Sequence, residues 1–371
     1  LGRRGEDEFV VLLSEINVNT EGMTRDVRLR SIRQHIDIVA KRIMETFTKP
    51  FQVKGQSFHV QTSIGIAICP DDGDSASAIY ENADTALYFA KESGRNRYQF
   101  FSTELRKQQE RKLSLDNQLR SGIDRGEFLI QYLPIIDLGK GKATLKGVEA
   151  LVRWQHRLEG LVQPDYFLQM AEESGAIVQL GHWVTKQTCF HLREWLTQGM
   201  RIFASINLSK RELMQADVVD RISQELSNQG IAPDYLKIDI AEGFNTTNPD
   251  VMDKVVSEFG RRGIHVAIDD FGIGYSSLSR LNVEYTRIIK IDRSIIAGCP
   301  NDKQASTIAI AAISLANSLN MWSLAEGVEN VAQARFLVKH GCSMAQGFYF
   351  SEPLAAADVS ELYRSKKVWK I

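Results

Sequence analysis

No apolar run in this chain of 371 residues approaches the roughly 18–20 needed to cross a bilayer, which excludes a membrane span within it. No secretory leader is visible either. An excess of charge of one sign is equally missing: 45 Lys and Arg face 46 Asp and Glu, leaving a formal charge of -1 at pH 7. A general binder of DNA or RNA polymers normally shows a basic surplus, so no such partner is expected. Cysteine is sparse. Cys69, Cys189, Cys299 and Cys342 lie far apart and form no CxxC pair, and the Cys and His spacings of zinc sites are absent. Zinc hydrolysis is therefore disfavoured, and reduced thiols in the core of a cytoplasmic protein are the expectation. An initiator Met is also lacking. The chain opens at Leu1-Gly2-Arg3-Arg4, which suggests an upstream part able to hold a sensor or a membrane anchor.

What is present divides into two regions joined by a polar helix. Residues 1–101 carry an apolar run, Phe9-Val10-Val11-Leu12-Leu13, then a helical stretch at about 29–47, a strand pattern at 59–67 and a helix at 82–92. Two or three strands and two helices make a thin layer, part of an α/β sandwich. Residues 102–121 are rich in helix formers and charge, with Leu105, Leu113, Leu115 and Leu119 forming one narrow apolar stripe. From 122 to 371, strand and helix patterns alternate. Strands are expected at 128–136, 145–153, 203–208, 236–241, 265–270, 287–292, 322–327 and 344–350, with amphipathic segments at 181–198, 211–228, 250–262, 303–319 and 329–340 between most of them. Eight strands over a region of this size predict a TIM-like (β/α)8 barrel, with an open doubly wound sheet as the other candidate.

The chemistry lies at the ends of those strands. Glu149, Asn207, Asp239, the Asp269-Asp270 pair, Lys290 and Glu326 each stand at or near the end of an apolar run. An unpaired carboxylate is expensive to bury, so one such strand end is unusual and a series of them points to a shared cation site. Carboxylate and amide oxygens suit hard cations such as Mg²⁺ or Mn²⁺. Adjacent aspartates fit two divalent cations: Asp269 is placed to bridge and Asp270 to hold the second. Such a pair of ions can clamp the attacking and leaving oxygens of a phosphoryl displacement. Lys290 is a candidate to position water or neutralise phosphate, and Glu326 to ligate metal and accept the water's proton. Candidate ligands from many strands favour the barrel over the open sheet.

These residues also carry a family resemblance. Glu149-Ala150-Leu151-Val152-Arg153-Trp154, Asn207-Leu208-Ser209, Asp269-Asp270-Phe271-Gly272, Gly274-Tyr275-Ser276-Ser277-Leu278, Lys290-Ile291-Asp292, Glu326-Gly327-Val328-Glu329 and Gln346-Gly347-Phe348 follow one another over about 250 residues. In that order they resemble the EAL domain of bacterial cyclic-di-GMP phosphodiesterases. The resemblance implies hydrolysis of one phosphodiester of cyclic di-GMP to linear pGpG with two Mg²⁺ or Mn²⁺ ions. It implies that Glu149, Asn207, Asp239 and Asp269 hold one ion, and that Asp269, Asp270 and Glu326 hold the other. Lys290 and Glu326 would assist the water, while Leu133, Arg153, Asp292 and Gln346 would line the substrate. Glu242, Ile273 and Glu329 would belong to the loop regulation and the homodimer that the family forms through this domain. Three positions depart from the family pattern. Tyr132-Leu133-Pro134 stands where Tyr-Gln-Pro is usual, Asp239 replaces a Glu, and Ile273 replaces a Thr. Weaker substrate binding is expected from the first and a less firmly held cation from the second. The alternative reading is a catalytically weak EAL domain that acts as a cyclic-di-GMP receptor for a protein partner.

The first region resembles the C-terminal part of a GGDEF, or diguanylate cyclase, domain, through Arg4-Gly5-Glu6-Asp7-Glu8-Phe9, Ser63-Ile64-Gly65-Ile66-Ala67 and Ala83-Asp84-Thr85-Ala86-Leu87-Tyr88. Glu6 puts a charged side chain where a glycine would let backbone approach a nucleotide. Asp7 and Glu8 keep the carboxylates but lack their partners here, so cyclase activity is not expected.

Overall fold

The computed structural model describes residues 1–5, 7–14, 24–53, 55–58, 60–139, 143–162, 164–241, 249–272 and 285–371. Two compact units emerge, residues 1–114 and 115–371. The helix Thr103–Asp124 runs through the division. Among the described residues, no helix is long and apolar enough to cross a membrane.

Among its described residues, the first unit holds three two-stranded sheets and two long helices, Arg25–Phe47 and Ala76–Glu92. The second helix begins six residues before the apolar pattern suggested, because Ser75 caps it by accepting from the Ala78 N–H at 3.3 Å. Its partner strand is short, Ile64–Ile66, paired in parallel with Tyr98–Phe100. Gly65 is required there: a Cβ would stand 2.0 Å from the Ala83 carbonyl oxygen. Asp7 and Glu8 are exposed just before Phe9–Val10, the strand that pairs antiparallel with Gly2–Arg3. Glu6 lies outside the described residues.

The second unit is a closed eight-stranded barrel. Its strands are β1 (Phe128–Asp137), β2 (Thr144–His156), β3 (Phe203–Asn207), β4 (Leu236–Ala241), β5 (His265–Phe271), β6 (Thr286–Ile291), β7 (Trp322–Ala325) and β8 (Met344–Ala345). From β2 onward neighbours run parallel, and β2 closes the ring on β3. The expected eight repeats of strand and helix need one correction. β1 is antiparallel to both β2 and β8, so the first two strands form a hairpin rather than a helix-linked pair. β8 is also far shorter than the expected 344–350. The chain turns away at Gly347 (φ 145°), where a Cβ would meet the Val328 backbone at 2.3 Å.

Helices cover the outside, and two large apolar clusters fill the space between them and the strands. Inside the ring sits a separate plug of Ile135, Phe203, Ala267, Ile288, Leu324 and Met344. Gly147 admits the Phe203 ring, which would lie 2.7 Å from a Cβ there. This plug is the floor on which the polar residues stand.

After β3 the chain enters the short helix Lys210–Leu213 through a capping box between Ser209 and Glu212. Glu212 is buried, and a Cβ on Gly181 of the helix Ile177–Thr197 would overlap its carboxylate. Burial pushes the Glu212 pKa up to about 7. Both folded and unfolded chains hold this proton below about pH 4.5; between that value and 7 only the folded chain does, so stability falls as pH rises. Glu212→Gln keeps the cap and removes the titration. Relative to wild type it should gain about 3 kcal/mol between pH 4.5 and 8 in urea unfolding. An unchanged difference across that range would reject the assignment.

Candidate functional site

Side chains alternate along a strand, so residues two apart share a face. Two residues beyond the interior plug stand Ser205 above Phe203, Asp269 above Ala267, Lys290 above Ile288, Glu326 above Leu324 and Gln346 above Met344. Glu149 stands above Gly147 in the same way, with Asp239 supplied by β4. On β3 and β5–β8 the chain thus changes from apolar floor to polar layer toward the C-terminal end of the strand, where barrel sites lie.

Lys290 is the hub of that layer. Its Nζ lies 2.9 Å from Asp269 Oδ2, 2.9 Å from Glu326 Oε1, 3.0 Å from Asp239 Oδ2 and 3.4 Å from Glu149 Oε1. Two amides link the carboxylates. Asn207 Nδ2 donates to Glu149 Oε1 at 2.8 Å, while Gln346 Nε2 donates to Glu149 Oε2 at 2.6 Å and to Glu326 Oε1 at 2.9 Å. The sequence-predicted Glu149, Asn207, Asp239, Asp269, Lys290, Glu326 and Gln346 are therefore gathered in one place.

Burial and charge act in opposition here. Burial disfavours the Lys290 ammonium, but the carboxylates of Asp239, Glu149, Glu326 and Asp269 outweigh it and hold its pKa well above the ordinary lysine value. Burial also opposes ionisation of Glu149, yet Lys290 and the two amides bring its pKa below the usual range. The remaining acids are not so favoured. Burial, with Glu149 and Asp269 nearby and against the pull of Lys290, pushes Asp239 up to about 7. The same balance raises Glu326 to about 8. Asp270 is raised by burial and by Asp269 and Asp292. One ammonium does not satisfy so many acids. Neither carboxylate oxygen of Asp239 has a hydrogen-bond partner, although Lys290 sits at ion-pair distance.

Two sets of acids can each offer one oxygen within 4.8 Å of the others: Glu149, Asp239 and Asp269, and then Asp269, Asp270 and Glu326. Asp269 belongs to both. Asp270 takes its place through a left-handed backbone (φ 57°), supported by its N–H donating to Asp269 Oδ1 at 2.9 Å. A non-glycine residue in that region costs energy and is worth relating to function. All-oxygen donors, with the unsatisfied buried carboxylate of Asp239 in the first set, fit hard divalent cations.

The other predicted residues are distributed around this centre. Leu133 on β1 lies directly opposite Glu149 in the β1–β2 register. Arg153 Nε donates to Gln131 Oε1 at 2.9 Å. Asp292 is buried and caps the helix Arg293–Gly298, accepting from the Ser294 N–H at 2.7 Å. Glu329 is exposed, and its backbone N–H donates to Gln333 Oε1 at 2.8 Å. Glu242 and Ile273 lie outside the described residues. The sequence reading missed Gln131. The available signal was its spacing of two from Leu133, which places both on one face of β1.

The site is a barrel mouth with two acid sets that could each hold a cation and a buried lysine among them. The EAL domain family matches residues 116–353, and the chain belongs to that family. The family described as "Diguanylate cyclase, GGDEF domain" matches residues 1–97. The bifunctional diguanylate cyclase/cyclic di-GMP phosphodiesterase MucR of Pseudomonas aeruginosa is 33% identical over 96% of this chain and 50% of its own length. Cyclic di-GMP phosphodiesterase PdeR of Escherichia coli is 31% identical over 98% of this chain and 52% of its own. The chain thus spans about half the length of these relatives. Among solved structures, a PaMucR phosphodiesterase in complex with c-di-GMP is 33% identical, with a TM-score of 0.63 over 66% of this chain and 99% of that one.

Proposed function

We propose that the chain hydrolyses one phosphodiester bond of cyclic di-GMP to linear pGpG with two divalent cations, Mg²⁺ or Mn²⁺. The observation that carries this reading is the pair of acid sets sharing Asp269 at the mouth of the barrel. Five carboxylates against the one ammonium of Lys290 leave four formal negative charges when all are ionised, the charge that two divalent cations balance. Glu149, Asn207, Asp239 and Asp269 would hold one cation, and Asp269, Asp270 and Glu326 the other. When bound, the cations supply Lewis acidity toward phosphate and water.

The protein's own groups do the rest. Glu326, held by Lys290 and Gln346, accepts the proton of the attacking water. The water oxygen bonds to phosphorus, the P–O3′ bond breaks, and a proton returns to the departing 3′ oxygen. Lys290 keeps the acids apart and carries positive charge at the reaction centre. Arg153 binds phosphate at the rim, with Leu133, Asp292 and Gln346 completing the surroundings of the substrate. Turnover in ¹⁸O-labelled water tests the step: one labelled oxygen should enter the 5′ phosphate of pGpG. Product without label would overturn attack by water.

Within this reading the working protein is a cytoplasmic homodimer joined through the barrel, and Glu242, Ile273 and Glu329 serve its regulatory loop. Light scattering on the purified chain checks the dimer. The region 1–101 is a degenerate GGDEF-like domain without cyclase activity, and 102–121 connects it to the domain 122–371. The helix Thr103–Asp124 supports that division.

A second reading, a receptor with little turnover, draws on Leu133. Facing Glu149, it offers no amide toward the site. Replacing it by Gln should lower KM about fivefold to tenfold, the effect of one regained hydrogen bond of about 1 kcal/mol or slightly more. An unchanged or higher KM would show that Leu133 does not weaken the site.

A further inference from the structure

Arg153 is a half-buried cation with an unusual set of neighbours. Its Nε donates to Gln131 Oε1 and its Nη1 to the carbonyl oxygen of Val152, both at 2.9 Å. Both acceptors are neutral, and among the described residues no carboxylate pairs with it. Burial depresses its pKa, and the field of Glu149 partly offsets that. The guanidinium therefore keeps its charge for an anion while being drawn toward the acid layer. β1 runs alongside the stretch of β2 that carries both Glu149 and Arg153. In the register, Leu133 faces Glu149, Gln131 faces Leu151 and Leu129 faces Arg153, so Gln131 lies on the mouth-facing side one step above the acids.

We propose that Gln131 is a positioning residue that holds Arg153 above the acid layer, where the guanidinium meets a phosphate of the dinucleotide rather than folding down onto Glu149. Gln131 supplies a neutral acceptor 2.9 Å from Nε, one step along the face of β1 from Leu133. Planar guanidinium recognition of phosphate depends on orientation, so a freed Arg153 loses binding even though its charge persists. Gln131 is also the amide on the face of β1 where Leu133 offers none.

The inference rests on the proposed function, and its test separates the two. Gln131→Met keeps length and volume but removes the acceptor. KM for cyclic di-GMP should rise about tenfold, as for a lost hydrogen bond to a charged group, with kcat within about twofold. Added to Arg153→Met, the same change should raise KM by less than about twofold, because its partner is already gone. Additive effects, or a fall in kcat equal to the rise in KM, would overturn the proposal. Gln131→Leu takes its place if the methionine variant does not fold. If the wild type leaves cyclic di-GMP intact, the proposed function fails, and exchange of the Arg153 Nε–H in ¹⁵N-arginine-labelled protein decides the positioning role. Slow exchange made fast by Gln131→Met supports it, and equal exchange in both proteins rejects it.

Discussion

Glu326→Gln should lower kcat between about a hundredfold and ten-thousandfold and leave the affinity for cyclic di-GMP within about threefold. The size follows from what a positioned base contributes, roughly 10²–10⁴ in rate. The selectivity follows from the geometry. Gln346 Nε2 and Lys290 Nζ both meet Glu326 Oε1 at 2.9 Å, and a glutamine carbonyl can accept from both. The layer keeps its shape while losing its proton acceptor. Single-turnover rates and equilibrium binding on the same preparation check this. Comparable turnover in the variant would remove Glu326 from the role of base.

Lys290→Met should produce the largest change in stability. In the cation-free protein, Lys290 is the ammonium shared by Glu149, Asp239, Asp269 and Glu326, and its side chain is only 1% exposed. Removing one partner of a buried ion pair costs about 3–5 kcal/mol because the other charge is left uncompensated. For a unit of this size that lowers the thermal midpoint by about 10 °C. The sign of the pH effect is fixed by the acids. Asp239 and Glu326, already raised to about 7 and about 8 with the lysine present, resist ionisation further without it. Their folded-state values lie above the unfolded ones, so the loss grows as pH rises and is smallest in acid. Mn²⁺ should restore much of the midpoint, since cations bound only to the folded site stabilise it by mass action. Calorimetry in EDTA and in Mn²⁺ measures both effects. A midpoint within 2 °C of wild type in EDTA would show that Lys290 does not neutralise the acids.

The acids were legible because a buried strand ending in a carboxylate is costly unless it has a purpose, and Glu149, Asp239, Asp269 and Glu326 repeat that violation. Their common height was not legible. In 287–292 Ile288, Ile289 and Ile291 occupy both faces, and in 236–241 both faces are buried, so the pattern alone does not fix the height of each acid above the barrel floor. The interior plug of Phe203, Ala267, Ile288, Leu324 and Met344 supplies that reference once the ring is closed. The hairpin of β1 and β2 escaped for a related reason: an apolar run carries no sign of its direction. The helix Pro164–Ser174 was missed although Pro164 at its first position is a start signal. Residues 211–228 read as one amphipathic segment, whereas the chain forms two helices, Lys210–Leu213 and Val218–Asn228. The amide links from Gln346 to Glu149 and Glu326, and from Gln131 to Arg153, join residues far apart in the chain or on neighbouring strands. Only the closed barrel brings those partners within hydrogen-bond reach.

If the acid layer on the barrel floor is a working hydrolytic centre, the purified chain turns over cyclic di-GMP. Incubation of the purified chain with cyclic di-GMP, followed by chromatographic separation of the nucleotides, tests it most directly. Linear pGpG should form in the presence of Mn²⁺ and not in EDTA. Cyclic di-GMP recovered intact with Mn²⁺, at concentrations where its binding is measurable, would contradict it and leave the receptor reading in its place.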